Sequence, residues 1–261
     1  MEIIIQSDSD AAALMVARVI AREIRHKPDL VLGLATGRTM ESVYGHLARM
    51  HREEGLSFAS CRTFNLDEYI GIPAEHPCSY RHYMNENLFN RIDINSRNTY
   101  LPNGMAPDLT AECHRYEECI KERGGIDLQL LGIGHDGHIG FNEPLSSLRS
   151  RTREKALTLS TLQANSAMFG NDRDKVPRRA ITMGVGSILD SKRALMLVTG
   201  ASKASILAKA TEGPITSMVT GSALQLHPRC TVVADEAAAT NLEGIEYYRW
   251  IFANEPEWQN F

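Results

Sequence analysis

The 261-residue chain predicts an α/β sandwich with a mostly parallel sheet covered by helices on both faces. Two observations carry this. Strand-like runs alternate with helix-like ones almost from end to end, and those runs are near-continuously apolar, as in "DLVLGLA", "IDLQLLGIG" and "ALMLVTG". Strands buried on both faces read this way, whereas a sheet with one wet face would alternate.

The elements follow in order. "EIIIQ" is a first strand, followed by a helix over 9–26, where Leu14, Ala17, Val19 and Ile24 are spaced for one buried face. "DLVLGLA" leads through the turn "TGRT" into a helix to about His51. "CRTFNLDEY" is a third strand ending in polar residues; the runs at "IDLQLLGIG" and "ALMLVTG" are two more, "TVVADE" is a late strand and "GIEYYRWIF" a terminal helix. The segment at about 148–177 is more polar, lacks a long core strand and follows a glycine-rich loop directly, so it is expected to cover a site as a lid on a single domain spanning 1–261.

Composition narrows the function. A net charge of −4 without a basic run leaves no electrostatic footprint for nucleic acid. No stretch approaches the roughly 18 apolar residues of a membrane span, and the N-terminal run lacks the basic leader of a signal peptide. Five cysteines, odd in number and without C-x-x-C spacing, point to a reducing cytoplasm and to neither a disulfide framework nor a zinc knuckle. A small-molecule partner is the expectation.

In an open parallel sheet, ligands bind at the carboxyl ends of the strands. Three such ends carry unusual residues. "ATGRTM" sets Gly37 between Thr36 and Thr39 at a helix start, where free N–H groups, the hydroxyls and Arg38 suit a phosphate, although an ordinary N-cap turn would look the same. "FNLDEYIG" sets Asp67 beside Glu68; adjacent strand residues face opposite ways, so at most one looks into a pocket. "LGIGHDGHIGFNEP" puts glycines 132, 134, 137 and 140 around Asp136, His138 and Glu143. A histidine flanked by carboxylates can be held at a pKa useful for moving protons. No cysteine or second suitable histidine completes a metal set, since His135 would point elsewhere, so acid–base chemistry without a metal is expected.

"FNLDEYIGIP", "HPCSY", "GIGHDGHIGFNEPLSSLRSRTR", "VPRRAITMGVGSILD", "ALQLHP" and "VADE" together resemble the glucosamine-6-phosphate deaminase (isomerase) family over nearly the whole chain. The resemblance implies a Rossmann-like fold and conversion of glucosamine 6-phosphate and water to fructose 6-phosphate and ammonia, with no metal or organic cofactor. It makes Asp67 the base between C2 and C1, and Asp136, His138 and Glu143 the ring-opening group. It places the phosphate on Thr36, Gly37, Arg38 and Thr39 and on Lys203. Ser146, Arg153 and Lys155 match an activator site for N-acetylglucosamine 6-phosphate found in hexameric members; other members are monomers.

Two departures concern the phosphate. Arg38 stands where the family has a small residue, and "NSA" with Ala167 stands where the family's lid reads N-S-R. Arg38 compensating for the missing lid arginine is one account; a different amino-sugar phosphate is the other. The 6-phosphogluconolactonases share a G-x-x-D-G-H loop but usually lack "FN-x-DEY" and N-E-P, and a non-catalytic sugar-phosphate sensor would be expected to lose an acid–base residue.

Overall fold

A computed structural model describes residues 1–259. Seven strands form one sheet, β1 (Glu2–Gln6), β2 (Val31–Leu34), β3 (Arg62–Asn65), β5 (Thr99–Tyr100), β6 (Leu128–Leu131), β9 (Ala194–Val198) and β10 (Cys230–Asp235), in the order β1-β10-β9-β6-β2-β3-β5. Every pairing in it is parallel. The central strands are buried throughout, as their continuous apolar runs predict.

Helices flank this sheet. α1 (Ser9–His26) has the expected bounds, with the Asp8 side chain accepting the Ala11 N–H at 2.9 Å as its N-cap and Ala13, Val16, Ala17 and Ile20 on its buried face. α1 packs on β9, β10 and on α2 (Arg38–Glu54), which runs one turn beyond the expected end to a left-handed Gly55. The remaining helices are α3 (Tyr80–Asn87), α4 (Leu109–Glu122), α5 (Leu159–Asn165), α6 (Val185–Leu189), α7 (Ala204–Thr211), α8 (Glu236–Ala239) and α9 (Ile245–Asn254).

The structure corrects the sequence reading at one place and adds to it at another. "CRTFNLDEY" is not one strand: it breaks at Leu66 into β3 and β4 (Asp67–Tyr69), which belong to different sheets. Leu66 is the joint, its N–H donating to Leu34 O at 3.0 Å while its carbonyl accepts from Met183 N at 2.7 Å. β4 then pairs antiparallel with β8 (Arg179–Thr182), and β8 with β7 (Arg153–Ala156), in a small second sheet. The polar segment at about 148–177 thus lacks a long core strand, as expected, but carries a short one. β7 lies within it, and its alternating half-buried and exposed residues are too polar to read as a core strand. β5 and β7 escape the sequence reading because they are short edge strands without an apolar run, and β8, though central in its sheet and mostly buried, is four residues with only two apolar ones.

A second, smaller apolar cluster joins this sheet to α5, with Tyr69, Tyr80 and Phe141 packed against Leu162 and Phe169. Among the described residues, no helix is long and apolar enough to cross a membrane.

Candidate active site

After β2 the chain moves outward to β3 and β5, then returns to place β6 on the other side of β2. The loops leaving β2 and β6 thus diverge, and a crevice opens between them at the carboxyl end of the sheet. A cleft of about 280 Å³ lies there. The three strand ends singled out in the sequence all reach it: Thr36, Gly37, Arg38 and Thr39 from β2, Asp67 beyond β3, and Gly134, Asp136 and His138 beyond β6. Lys203 joins them from the turn after β9, and Ser160, Thr161, Ala164 and Asn165 of α5 form the outer wall.

His138 Nδ1 lies 2.6 Å from Asp136 Oδ1 and 3.3 Å from Glu143 Oε2, ion-pair contacts with two carboxylates, neither of them a well-directed hydrogen bond. Burial opposes charging the imidazole, but the two carboxylates prevail and raise its pKa to about 9. The same contact outweighs burial at Asp136 and lowers it to about 2, and Glu143 is also lowered. His138 is therefore an imidazolium at neutral pH, with Nε2 left for the cleft. Asp136, His138 and Glu143 also bring one ligand atom each within 4.8 Å of one another. The 2.6 Å between Asp136 and His138 is closer than the roughly 3.3 Å that separates two ligands on a tetrahedral zinc, so these two atoms form an ion pair. The group is arranged to hold a proton.

Gly134 makes room for this histidine. A Cβ built on it would stand 2.4 Å from the imidazole ring, so a side chain there would displace His138. Glu143 is 2% exposed and sits behind the histidine, outside the cleft wall.

Asp67 and Glu68 divide as strand geometry requires. Asp67 borders the cleft, and Glu68 turns away to accept the N–H groups of Tyr69, Tyr80 and Arg81 at 2.9, 3.0 and 2.9 Å. Burial first, then the neighbouring Glu68 charge, push the Asp67 carboxyl up to about 8, partly offset by His138. A carboxylate so poorly solvated is a far stronger base than one in water.

At the other end of the cleft Gly37 adopts φ 130°, a conformation that favours glycine, and α2 begins at the next residue. Its carbonyl is held by the Tyr83 hydroxyl at 2.8 Å, which leaves N–H groups and the Arg38 side chain at the helix start. Lys203 Nζ donates to Ile133 O at 2.8 Å, and burial lowers its pKa. His135 stays out of the Asp136–His138–Glu143 group as expected, yet it borders the same cleft, where Lys203 first, then burial, depress its pKa. Ala167 is exposed and outside the cleft wall.

Ser146, Arg153 and Lys155 do not reach the cleft. Arg153 and Lys155 share one face of β7, and Arg153 Nη1 donates to Asn142 Oδ1 at 2.8 Å. Ser146 Oγ and Arg153 Nη2 are buried without a protein partner.

Tyr80 and Asn165 were missed as cleft residues. Tyr80 sits in the quoted "HPCSY", but an aromatic there reads equally as core; Asn165 Nδ2 donates to Tyr69 Oη at 2.8 Å, a contact between segments 96 residues apart that no local pattern reveals.

A buried carboxyl group, a carboxylate-held imidazolium and a cation-flanked glycine turn share one cleft at the switch point of a parallel sheet, the arrangement of an α/β enzyme. The family model described as glucosamine-6-phosphate isomerases/6-phosphogluconolactonase matches residues 6–233, and the chain belongs to that family. It is 50% identical to a glucosamine-6-phosphate deaminase of Hahella chejuensis, over 96% of this chain and 95% of that one. It is 45% identical to one of Streptomyces coelicolor over 99% of both. A solved monomeric glucosamine-6-phosphate deaminase superposes with a TM-score of 0.90 at 46% identity, covering 92% of this chain and 100% of its own. A 6-phosphogluconolactonase from Trypanosoma cruzi superposes at 0.74 with 18% identity, over 93% of this chain and 97% of its own, a likeness of fold alone.

Proposed function

We propose that the protein converts glucosamine 6-phosphate and water to fructose 6-phosphate and ammonia. The observation that carries this is one cleft holding an acid–base pair, Asp67 and His138, at one part and a glycine turn flanked by Arg38 and Lys203 at another. The phosphate on the turn and on Lys203 leaves the sugar ring among the acid–base groups. His138, already charged, gives a proton to the ring oxygen and, once neutral, takes back the anomeric hydroxyl proton, with Asp136 and Glu143 orienting it and favouring its charged form. Asp67 then removes the C2 proton to give an enolamine and returns it to C1, leaving an iminium at C2. Water adds to that carbon and ammonia departs, which balances the reaction. The α5 segment acts as the lid that keeps bulk water from the intermediate.

The experiment is ammonia release from glucosamine 6-phosphate, set against lactone hydrolysis of 6-phosphogluconolactone. Ammonia without hydrolysis supports the deaminase reading; the reverse supports the lactonase. A panel of other amino-sugar phosphates tests whether Arg38 and Ala167 mark a different substrate.

The unpartnered Ser146 Oγ and Arg153 Nη2, with Lys155 on the same strand face as Arg153, support an anion such as N-acetylglucosamine 6-phosphate at that second place. Activation by that compound at subsaturating substrate is the test. The solved monomeric relative favours a monomer over a hexamer, which sedimentation velocity decides. The five cysteines are free and four are buried, in keeping with a cytoplasmic protein.

A further inference from the structure

Glu68 is 4% exposed, and three backbone N–H groups converge on its carboxylate. Two of the three belong to Tyr80 and Arg81, the first residues of α3, whose N–H groups have no partner within the helix. An anion there also meets the positive end of the helix dipole. The next donor, His82 N, is taken by Ser79 Oγ at 3.0 Å. The start of α3 is thus bound to β4 through the Glu68 carboxylate, beside the packing of Tyr80 on Tyr69.

What α3 carries makes this more than a cap. The Tyr83 hydroxyl donates to Gly37 O at 2.8 Å, and the Tyr80 hydroxyl interacts with the Thr36 side chain. Arg81 fastens the helix to β5, donating to Thr99 Oγ1 at 2.8 Å and to Thr99 O at 3.0 Å. A continuous path of contacts therefore leads from Asp67 through Glu68 and α3 to both residues that begin the glycine turn.

We infer that Glu68 is a positioning residue for the reaction: its buried carboxylate clamps the start of α3 to the strand bearing Asp67, and so sets the separation between the base and the glycine turn that receives the phosphate. This rests on the deaminase reading. A substrate held at both ends reacts only if that separation matches it, and small misplacements of a bound substrate are costly. Glu68 also contributes charge. The groups facing Asp67 are His138 from the histidine loop, Tyr44 from α2, Tyr80 from α3, Tyr116 from α4 and Tyr69 and Glu68 from its own strand, and of these Glu68 is the one carboxyl group, whose charge raises the Asp67 pKa. Arg81 is the cation that faces Glu68 itself.

The two contributions separate by substitution. Glu68→Asp keeps the charge but draws the carboxylate back by one methylene, so KM for glucosamine 6-phosphate should rise on the order of fivefold or more with the acid limb of kcat/KM unmoved. Glu68→Gln keeps an acceptor for Tyr69 and Tyr80 but removes the charge, so the acid limb should move to lower pH, by about half a unit or more. Tyr83→Phe, which cuts the path further along, should raise KM without moving the limb. A merely structural Glu68 would lower the melting temperature and the active fraction but leave KM and the limb alone. Parental KM and pH limb in folded Glu68→Asp and Glu68→Gln would overturn the proposal; if Glu68→Gln does not fold, parental KM in Glu68→Asp and Tyr83→Phe does so. Glucosamine 6-phosphate binding by calorimetry reads the same clamp without turnover. A parent that binds it but releases no ammonia sinks the deaminase reading, and the calorimetric arm still decides the clamp.

Discussion

Thr158 donates its backbone N–H to Glu143 Oε1 at 3.0 Å, while the other oxygen of that carboxylate lies 3.3 Å from His138 Nδ1. One side chain therefore anchors the start of α5 and lies against the charged imidazole of His138. Thr158 is also the N-cap of α5, accepting the Thr161 N–H at 3.3 Å.

Thr158→Ala should loosen α5, since losing such a cap costs about 0.5–2 kcal/mol of helix stability. Hydrogen exchange over residues 159–165 should speed up while the His138 titration stays in place. Glu143→Gln should do the reverse, leaving the amide of Thr158 an oxygen to meet while lowering the His138 pKa. Identical exchange and titration changes in the two variants would show that the two oxygens do not act separately.

Asp67→Asn should reduce kcat on the order of 10²-fold or more, because the amide fills the same space and cannot accept a proton. Its stability should hold or rise at pH 7 and above. The Asp67 pKa is raised to about 8 in the folded protein, so its ionisation on folding is unfavourable and the parent loses stability as pH rises from about 4 toward 8. The neutral amide escapes that loss. Thermal melts from pH 5 to 9 check it, and a variant that melts far below the parent throughout would contradict it.

The His138 pair has its own pH signature. Its folded pKa of about 9 exceeds the ordinary 6.5, so the stabilisation is fully present below about 6.5 and lost as pH rises through about 9, at no more than about 1.4 kcal/mol per pH unit. His138→Gln should abolish that slope in urea-unfolding curves. In catalysis the same substitution should slow a cyclic substrate more than an analogue already open. Equal losses on both would remove His138 from ring opening.

Arg38→Gly should raise KM for the phosphorylated sugar about 10- to 150-fold, the worth of a charge-assisted phosphate contact of roughly 1.5–3 kcal/mol. Arg38 lies in the cleft wall, whereas Ala167 is exposed on the 3-10 helix Ser166–Phe169 beyond it. An arginine added as Ala167→Arg in the Arg38→Gly background should recover part of the affinity, and help much less in the parent. Independent effects of the two substitutions would speak for an altered substrate instead.

The sequence by itself determined the parallel sheet, because strands buried on both faces must be apolar throughout, and α1, because its cap and its buried stripe are both local. It also marked the residues of the cleft: a glycine turn, a pair of adjacent acids after a strand and a histidine between carboxylates are unusual within a few residues of chain. Only the tertiary structure decided that Asp67 and Glu68 leave the main sheet at Leu66, since that break depends on Met183 pairing with the Leu66 carbonyl. It likewise decided that Glu143 reaches Thr158, that Asn165 reaches Tyr69, and that α3 joins the base strand to the glycine turn. These are contacts between distant segments, made by polar groups that must find partners once buried, and no local pattern of residue types records which partner each will find.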